Sequence, residues 1–171
     1  MGEIKEMPVG STPVDFAYSV HTQVGNRCVG AKVNGKIVPL RYTLRNGDTV
    51  EIMTSPAQSP SRDWLKFVVT QRAKNRIKQW IKAEERKQSI ELGQKLLESE
   101  LRRHDLGHSV LKSEEMEKAL KSFNIEALED LHAFIGHGKL SAHQFVNKLL
   151  PEKPVEEIPV PKTAKPPKEH K

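Results

Sequence analysis

The chain has 171 residues, a net charge of +6, 36% hydrophobic residues and a single cysteine. That length holds one domain and a second, smaller one around a modest core. The lone Cys28 excludes an internal disulfide or a cysteine-built zinc site, and no apolar run reaches membrane length. With no basic-then-apolar leader at its start, the chain is expected to be soluble and cytoplasmic, with no membrane partner.

Taken in order, residues 3–7 alternate in the manner of one strand. Thr12 then caps a helix that Pro13 opens, and Asp15 stands three residues past the cap to answer it. Phe16, Ala17, Val20 and Val24 recur at helical spacing, and Gly25 is expected to end the helix. The apolar run from Cys28 to Val33 reads as a strand in which Cys28 is a buried, inert thiol. Asn34-Gly35 is a two-residue hairpin signal, and residues 36–40 pair back. Asn46-Gly47 makes the next tight turn, and residues 49–53 form the last strand. One helix lying on a small sheet is the outline of a β-grasp.

Residues 55–61 are rich in Pro and Ser and mark a boundary. Beyond them Trp64, Phe67 and Val68 share one helical face, whereas Ala73, Ile77, Trp80 and Ile81 share nearly the opposite one. The phase slips near Thr70, which predicts a break there and a longer helix capped by Thr70. This helix can run to about His104, with Gly93 weakening it and Gly107 stopping it. Three shorter helices follow, capped by Ser113, by Asn124 (this one ending at Gly136) and by Ser141 with Gln144. Residues 151–171 hold six of the eleven prolines and read as an extended linker or tail.

The charge is uneven. Residues 62–87 carry nine Lys or Arg and three Asp or Glu, a balance of +6, so the rest of the chain is neutral. On the long helix Lys78, Lys82 and Arg86 stand four apart as a row opposite the apolar stripe, flanked by Arg72, Lys74 and Arg76. A basic segment on a neutral body suits a polyanion, although solvated helices also carry many lysines.

The stretches GSTPVDFAYSVHTQVGNRCVGAKVNGKIVPL, LRNGDTVEIMTS and PSRDWLKFV closely resemble the TGS domain of the RelA/SpoT family, the bacterial enzymes that make and hydrolyse (p)ppGpp. The match covers residues 2–82, and the helical region lies where that family carries its own helical domain. The resemblance implies an α+β fold: a ubiquitin-like β-grasp TGS domain over 1–55, a linker over 56–61, an all-helical domain over 62–150 and the Pro-rich tail over 151–171. A TGS domain has one more strand before residue 3, so the chain is expected to start inside the domain, without its first strand. The expected role is binding and sensing with no catalysis on this chain, as the regulatory region of a (p)ppGpp synthetase/hydrolase. An intramolecular scaffold that docks on the catalytic domains without touching RNA, or the TGS module of another tRNA-linked protein, is the alternative.

Three motifs tempt and fail. GNRCVGAK at residues 25–32 is one residue from a phosphate-binding loop, but it runs from helix to strand, the reverse of what such a loop needs. His104-Asp105 resembles the paired ligands of an HD hydrolase without the further ligands that metal hydrolysis needs, so a solvated helix end is expected. His132, His137 and His143 match no metal spacing and read as surface residues. No catalytic residue, metal or cofactor is assigned.

His21 stands apart. Alone it reads as a histidine in the last turn of a helix, where the dipole favours a partly positive ring. It also occupies the histidine of FAY-x-x-H, which in the RelA/SpoT family contacts the free 3′ CCA end of deacylated tRNA in the ribosomal A site. The resemblance therefore implies tRNA 3′-end binding by His21, and the charge pattern of the long helix assigns RNA phosphate contacts to Arg72, Lys74, Arg76, Lys78, Lys82 and Arg86. The implied partners are deacylated tRNA, the ribosome through its RNA, and the catalytic domains of the parent protein.

Overall fold

The structure is a computed structural model that describes residues 2–150; the expected tail over 151–171 lies outside them. Helix α1 (Pro13–Val20) begins as its sequence dictates. Thr12 and Asp15 form the reciprocal capping box, and Pro13 fills the first turn. The expected single helix is in fact two. His21 takes extended backbone, φ −163° and ψ 150°, closing α1 and opening α2 (Thr22–Asn26). Gly25 is not a left-handed stop; it lies inside α2, where a Cβ would run into the Tyr18 ring. Close packing, not turn geometry, requires glycine there.

Strands β1 (Cys28–Val33), β2 (Lys36–Val38) and β3 (Val50–Thr54) make an antiparallel sheet of order β2-β1-β3. Asn34 and Gly35 have φ of 52° and 79°, the paired positive values of a tight hairpin turn. Asn34 also ties the two turns together: its side chain donates to Asp48 and accepts from the Thr49 amide. Residues 3–7 form no strand, contrary to the alternation. Among the described residues no backbone pairs with them, and the burial is inverted, with Ile4 95% exposed while Lys5 and Met7 are half-buried. Alternation supplies a face, but only a ladder partner makes a strand.

A 3-10 turn (Arg62–Lys66) capped by Ser61 drives Trp64 inward, and Thr70 caps α3 (Gln71–Arg103) as the phase slip predicts. The first core holds Val14, Ala17, Tyr18 and Cys28 together with Trp64, Val68, Ala73 and Ile77, so the start of α3 packs on α1 and the sheet. Burial pushes the Cys28 thiol up to about 11 and raises the Tyr18 phenol as well. Tyr18 spends its hydroxyl on Asn26.

The far end of α3 belongs to a second core, where Leu97 and Leu101 meet α4 (Glu114–Ser122), α5 (Leu128–Gly136) and α6 (Ala142–Leu149) through Met116, Leu131, Phe145 and Val146. Ser113 caps α4, and Ser141 with Gln144 boxes α6. Asn124 does not cap α5. Its φ is 56° and it closes α4, with the Ile125 amide reaching back to Leu120; α5 starts at Ala127 with no side-chain cap. Likewise Asp105, with φ 55°, ends α3 two residues before Gly107, and the Leu106 amide returns to Leu101. Both closures satisfy the orphan carbonyls of a helix end and swing an apolar residue onto the core.

Two glycines set the α3–α5 crossing. A Cβ on Gly93 would meet the His132 carbonyl, and one on Gly136 would meet the backbone of Ser89. Gly93 is therefore the contact point, not a weak spot. Gly93→Ala removes a helix penalty of about 1 kcal/mol in isolation, yet here it has to push two backbones apart. Urea denaturation is expected to show a net loss of about 1–3 kcal/mol in the stability of the second core.

Asp15 ties the first core to α3. Its carboxylate, 1% exposed, accepts from the Thr12 amide and hydroxyl, the Val69 and Thr70 amides and the Thr70 hydroxyl. Asp15→Ala leaves these donors without an acceptor. It is expected to cost about 1–3 kcal/mol for each donor that water cannot reach, read as a lower urea midpoint. Asp15→Asn, which keeps the shape but loses acceptor capacity, should fall between.

Candidate nucleic-acid interface

His21 is exposed at the joint between α1 and α2. Its Nδ1 accepts a hydrogen bond from the Gln23 amide at 3.1 Å, so the ring serves as the side-chain cap of α2. With Nδ1 turned to the cap, Nε2 lies on the far side of the ring from it. His21 thus sits at a joint between two helices and not in the last turn of one long helix. The arrangement gives one outward ring nitrogen and one exposed ring face, the two features needed to hydrogen-bond a ribose hydroxyl and stack on a base.

The basic residues of α3 separate by their place around the helix. At about 100° per residue, Lys78 and Lys82 lie across the helix from Ala73 and Ile77, and both are exposed. Arg72 and Arg76 are exposed on one flank; Lys74 is half-buried on the other. No acidic partner lies within salt-bridge distance of these five among the described residues. Arg86 differs. Its guanidinium is 2.8 Å from Asp130 of α5, and the neighbouring Glu85 pairs with Arg62. The row expected to run through Arg86 therefore ends at Lys82 as a free surface, because α5 covers the same side of α3 one turn further on.

The histidines depart most from the sequence reading. His132 is buried, not superficial; burial lowers its pKa, against the pull of Glu98 and Glu129. His137 faces the Ser89 hydroxyl at 3.2 Å. His104 and His143, treated as unrelated, both reach Oε1 of Glu100, at 3.3 and 2.9 Å. Glu100 is 8% exposed; the hydrogen bond from His143, reinforced by His104 and Arg103, holds its carboxyl below the ordinary value despite burial. The i,i+4 spacing of Glu100 and His104 was visible in the sequence, but nothing local announces His143. The near-P-loop segment forms the α2–β1 turn and has no helix start after it. Among the described residues no helix is long and apolar enough to cross a membrane.

Comparison with known proteins agrees with this layout. The TGS domain family model matches residues 1–54, and the RelA/SpoT AH domain model matches residues 80–150. The chain is 51% identical over 152 residues to a GTP pyrophosphokinase of Myxococcus xanthus, covering 88% of this chain and 20% of that protein. It is 44% identical over 152 residues to a guanosine-3′,5′-bis(diphosphate) 3′-pyrophosphohydrolase of Aquifex aeolicus, covering 89% of this chain and 21% of that one. It is also 44% identical over 154 residues to a bifunctional (p)ppGpp synthase/hydrolase of Mycobacterium tuberculosis, covering 88% and 21%. The chain thus spans about a fifth of the length of the curated relatives it matches.

Proposed function

The chain belongs to the RelA/SpoT family, with a TGS and an AH domain, and on that premise we propose that it is a sensor of deacylated tRNA on the ribosome. In the parent protein it reports the state of the tRNA 3′ end to the domains that make or hydrolyse (p)ppGpp. The observation that carries this reading is His21: exposed, and held by the Gln23 backbone amide at Nδ1 so that Nε2 lies on the outer side. A ring nitrogen held at a fixed place reads a free 3′ hydroxyl, which an ester-linked amino acid would block. The exposed cations Arg72, Arg76, Lys78 and Lys82, with the half-buried Lys74, supply affinity without sequence preference. Arg86 takes the part of a brace to Asp130 instead of a phosphate contact. Asp15 gives the scheme its stiffness. It sits six residues before His21 and bonds the two residues that start α3, so reader and basic face belong to one body.

Two substitutions separate the labour. In the full-length parent on ribosomes carrying an A-site tRNA, His21→Ala is expected to reduce discrimination between deacylated and aminoacylated tRNA more than overall binding. The deacylated complex should lose about 1–3 kcal/mol, and tRNA-stimulated (p)ppGpp synthesis should fall with it. Discrimination and stimulation that stay at the wild-type level in a folded variant would return His21 to a purely structural cap.

Lys78→Glu with Lys82→Glu is expected to weaken binding and flatten its salt dependence. Each lost contact lowers the log–log slope by about 0.9 on duplex and about 0.7 on single strands. Arg86→Ala should leave that slope in place and cost the fold under about 1 kcal/mol, since both partners of the pair are substantially exposed. A binding constant indifferent to salt would instead favour docking on the catalytic domains without RNA.

A further inference from the structure

We propose that Glu100, His104 and His143 form a divalent zinc-type metal site that clamps the end of α3 to the start of α6. Their ligand atoms, one carboxylate oxygen and two imidazole nitrogens, all lie within 4.8 Å of one another. Glu100 Oε1 is 3.3 Å from His104 Nε2 and 2.9 Å from His143 Nδ1. Two ligands bound at about 2.0–2.1 Å to a tetrahedral ion stand roughly 3.3 Å apart, so both pairs with Glu100 already have near-ligand spacing, and the two imidazoles, within 4.8 Å, close on a shared ion by side-chain rotation. Two imidazoles and one carboxylate suit zinc and its late first-row neighbours. Magnesium and calcium ask for a shell of oxygens that this cluster lacks.

The backbone around the cluster is firmly placed. Glu100 and His104 are one turn apart on α3, beside Leu97 and Leu101 in the second core. His143 sits in the first turn of α6, behind the Ser141–Gln144 capping box and ahead of the buried Phe145 and Val146. Both helices would therefore hold their ligands on rigid elements.

The outer partner of His143 is also in position. Asn147, one turn along α6, places its side-chain amide 3.2 Å from His143 Nε2. With Nδ2 facing the ring, Asn147 donates to Nε2 while Nδ1–H donates to Glu100. With the amide turned over, Oδ1 accepts Nε2–H, and Nδ1 is freed as a ligand. Metal-bound histidines commonly use such an acceptor to set their tautomer. His143 is 66% exposed at its side chain, which leaves an entry path and an open coordination position on the solvent side. Arg103, 3.6 Å from Glu100 Oε2, occupies the other carboxylate oxygen and keeps Oε1 for the ion.

The test uses the full chain without a histidine tag, stripped with chelator and titrated with zinc against a chromophoric competitor at pH 7.5, with melting followed in parallel. The expected result is one equivalent bound and a zinc-dependent rise in Tm, with cobalt giving the visible absorption of a low-symmetry site and magnesium giving neither. His143→Ala, at an exposed position, should keep the helical content. It should weaken zinc by at least the 10–100-fold that loss of a supporting partner costs and abolish the Tm shift. Asn147→Ala should weaken it less. Zinc binding and Tm shift that are absent in the wild type, or equal in wild type and His143→Ala, would overturn the proposal and leave Glu100 as a hydrogen-bonded carboxylate only. His143→Ala remains decisive even if Glu100→Gln or His104→Ala disturbs the core.

Discussion

The carboxylate of Asp15 is the constraint on which the arrangement of the chain depends. It is almost wholly buried, and a buried carboxylate is costly unless its oxygens are fully engaged. Every one of its partners is a donor, and they come from two helix starts, Thr12 ahead of α1 and Val69-Thr70 ahead of α3. One side chain thus closes the capping box of the first helix and orients the cap of the longest. The α1–sheet unit and α3 cannot tilt against each other without breaking these hydrogen bonds. The burial of Trp64, Val68, Ala73 and Ile77 against Val14 and Tyr18 then follows as packing around a fixed joint.

From that joint α3 extends for 33 residues, about 50 Å at the rise of an α-helix. Its two ends bury different sides. Ala73 and Ile77 face the first core, whereas Gly93, Leu97 and Leu101 face the second, and at about 100° per residue these sets lie nearly opposite each other. A helix with one buried side at each end, on opposite faces, connects two cores without merging them. The same geometry decides which cations are free. The side of α3 opposite the first core is open at Lys78 and Lys82, and by Arg86 it has come under α5, where Asp130 waits. The extent of the basic face is therefore set by where the Gly93–Gly136 crossing brings α5 down.

Much of this was legible in the sequence wherever the chemistry is completed within a few residues. Thr12 with Asp15, Thr70, Ser113, and Ser141 with Gln144 each announce a helix start through a bond that spans three residues, and Asn34-Gly35 announces its own turn. Helix ends were harder. Asn and Asp serve as N-caps and also tolerate the left-handed conformation, so Asn124 reads equally well as the start of α5 or the close of α4. What decides is the amide two residues past the helix cap, Ile125 returning to Leu120, and that bond leaves no mark in the residue types. The alternation of residues 3–7 failed for a different reason, since pairing depends on a neighbour strand that local pattern does not supply. The meeting of Glu100 with His143 spans 43 residues and rests on the α3–α6 packing alone.

His21 shows how a local correction changes the chemistry of a residue already singled out. As the last turn of one long helix, its ring would sit where a positive charge is welcome, and either nitrogen could face outward. The break in the backbone changes this. Extended at φ −163°, His21 caps α2 through Nδ1, which holds the ring in place and leaves Nε2 on its outer side. A side chain that reads a hydroxyl benefits from such a hold, because a fixed ring loses less freedom when it binds than a rotating one. The split between α1 and α2 would then serve the proposed reading of the 3′ end as well as the fold. It turns a flexible surface histidine into a preoriented ring, anchored six residues away by the same carboxylate that holds α3 in place.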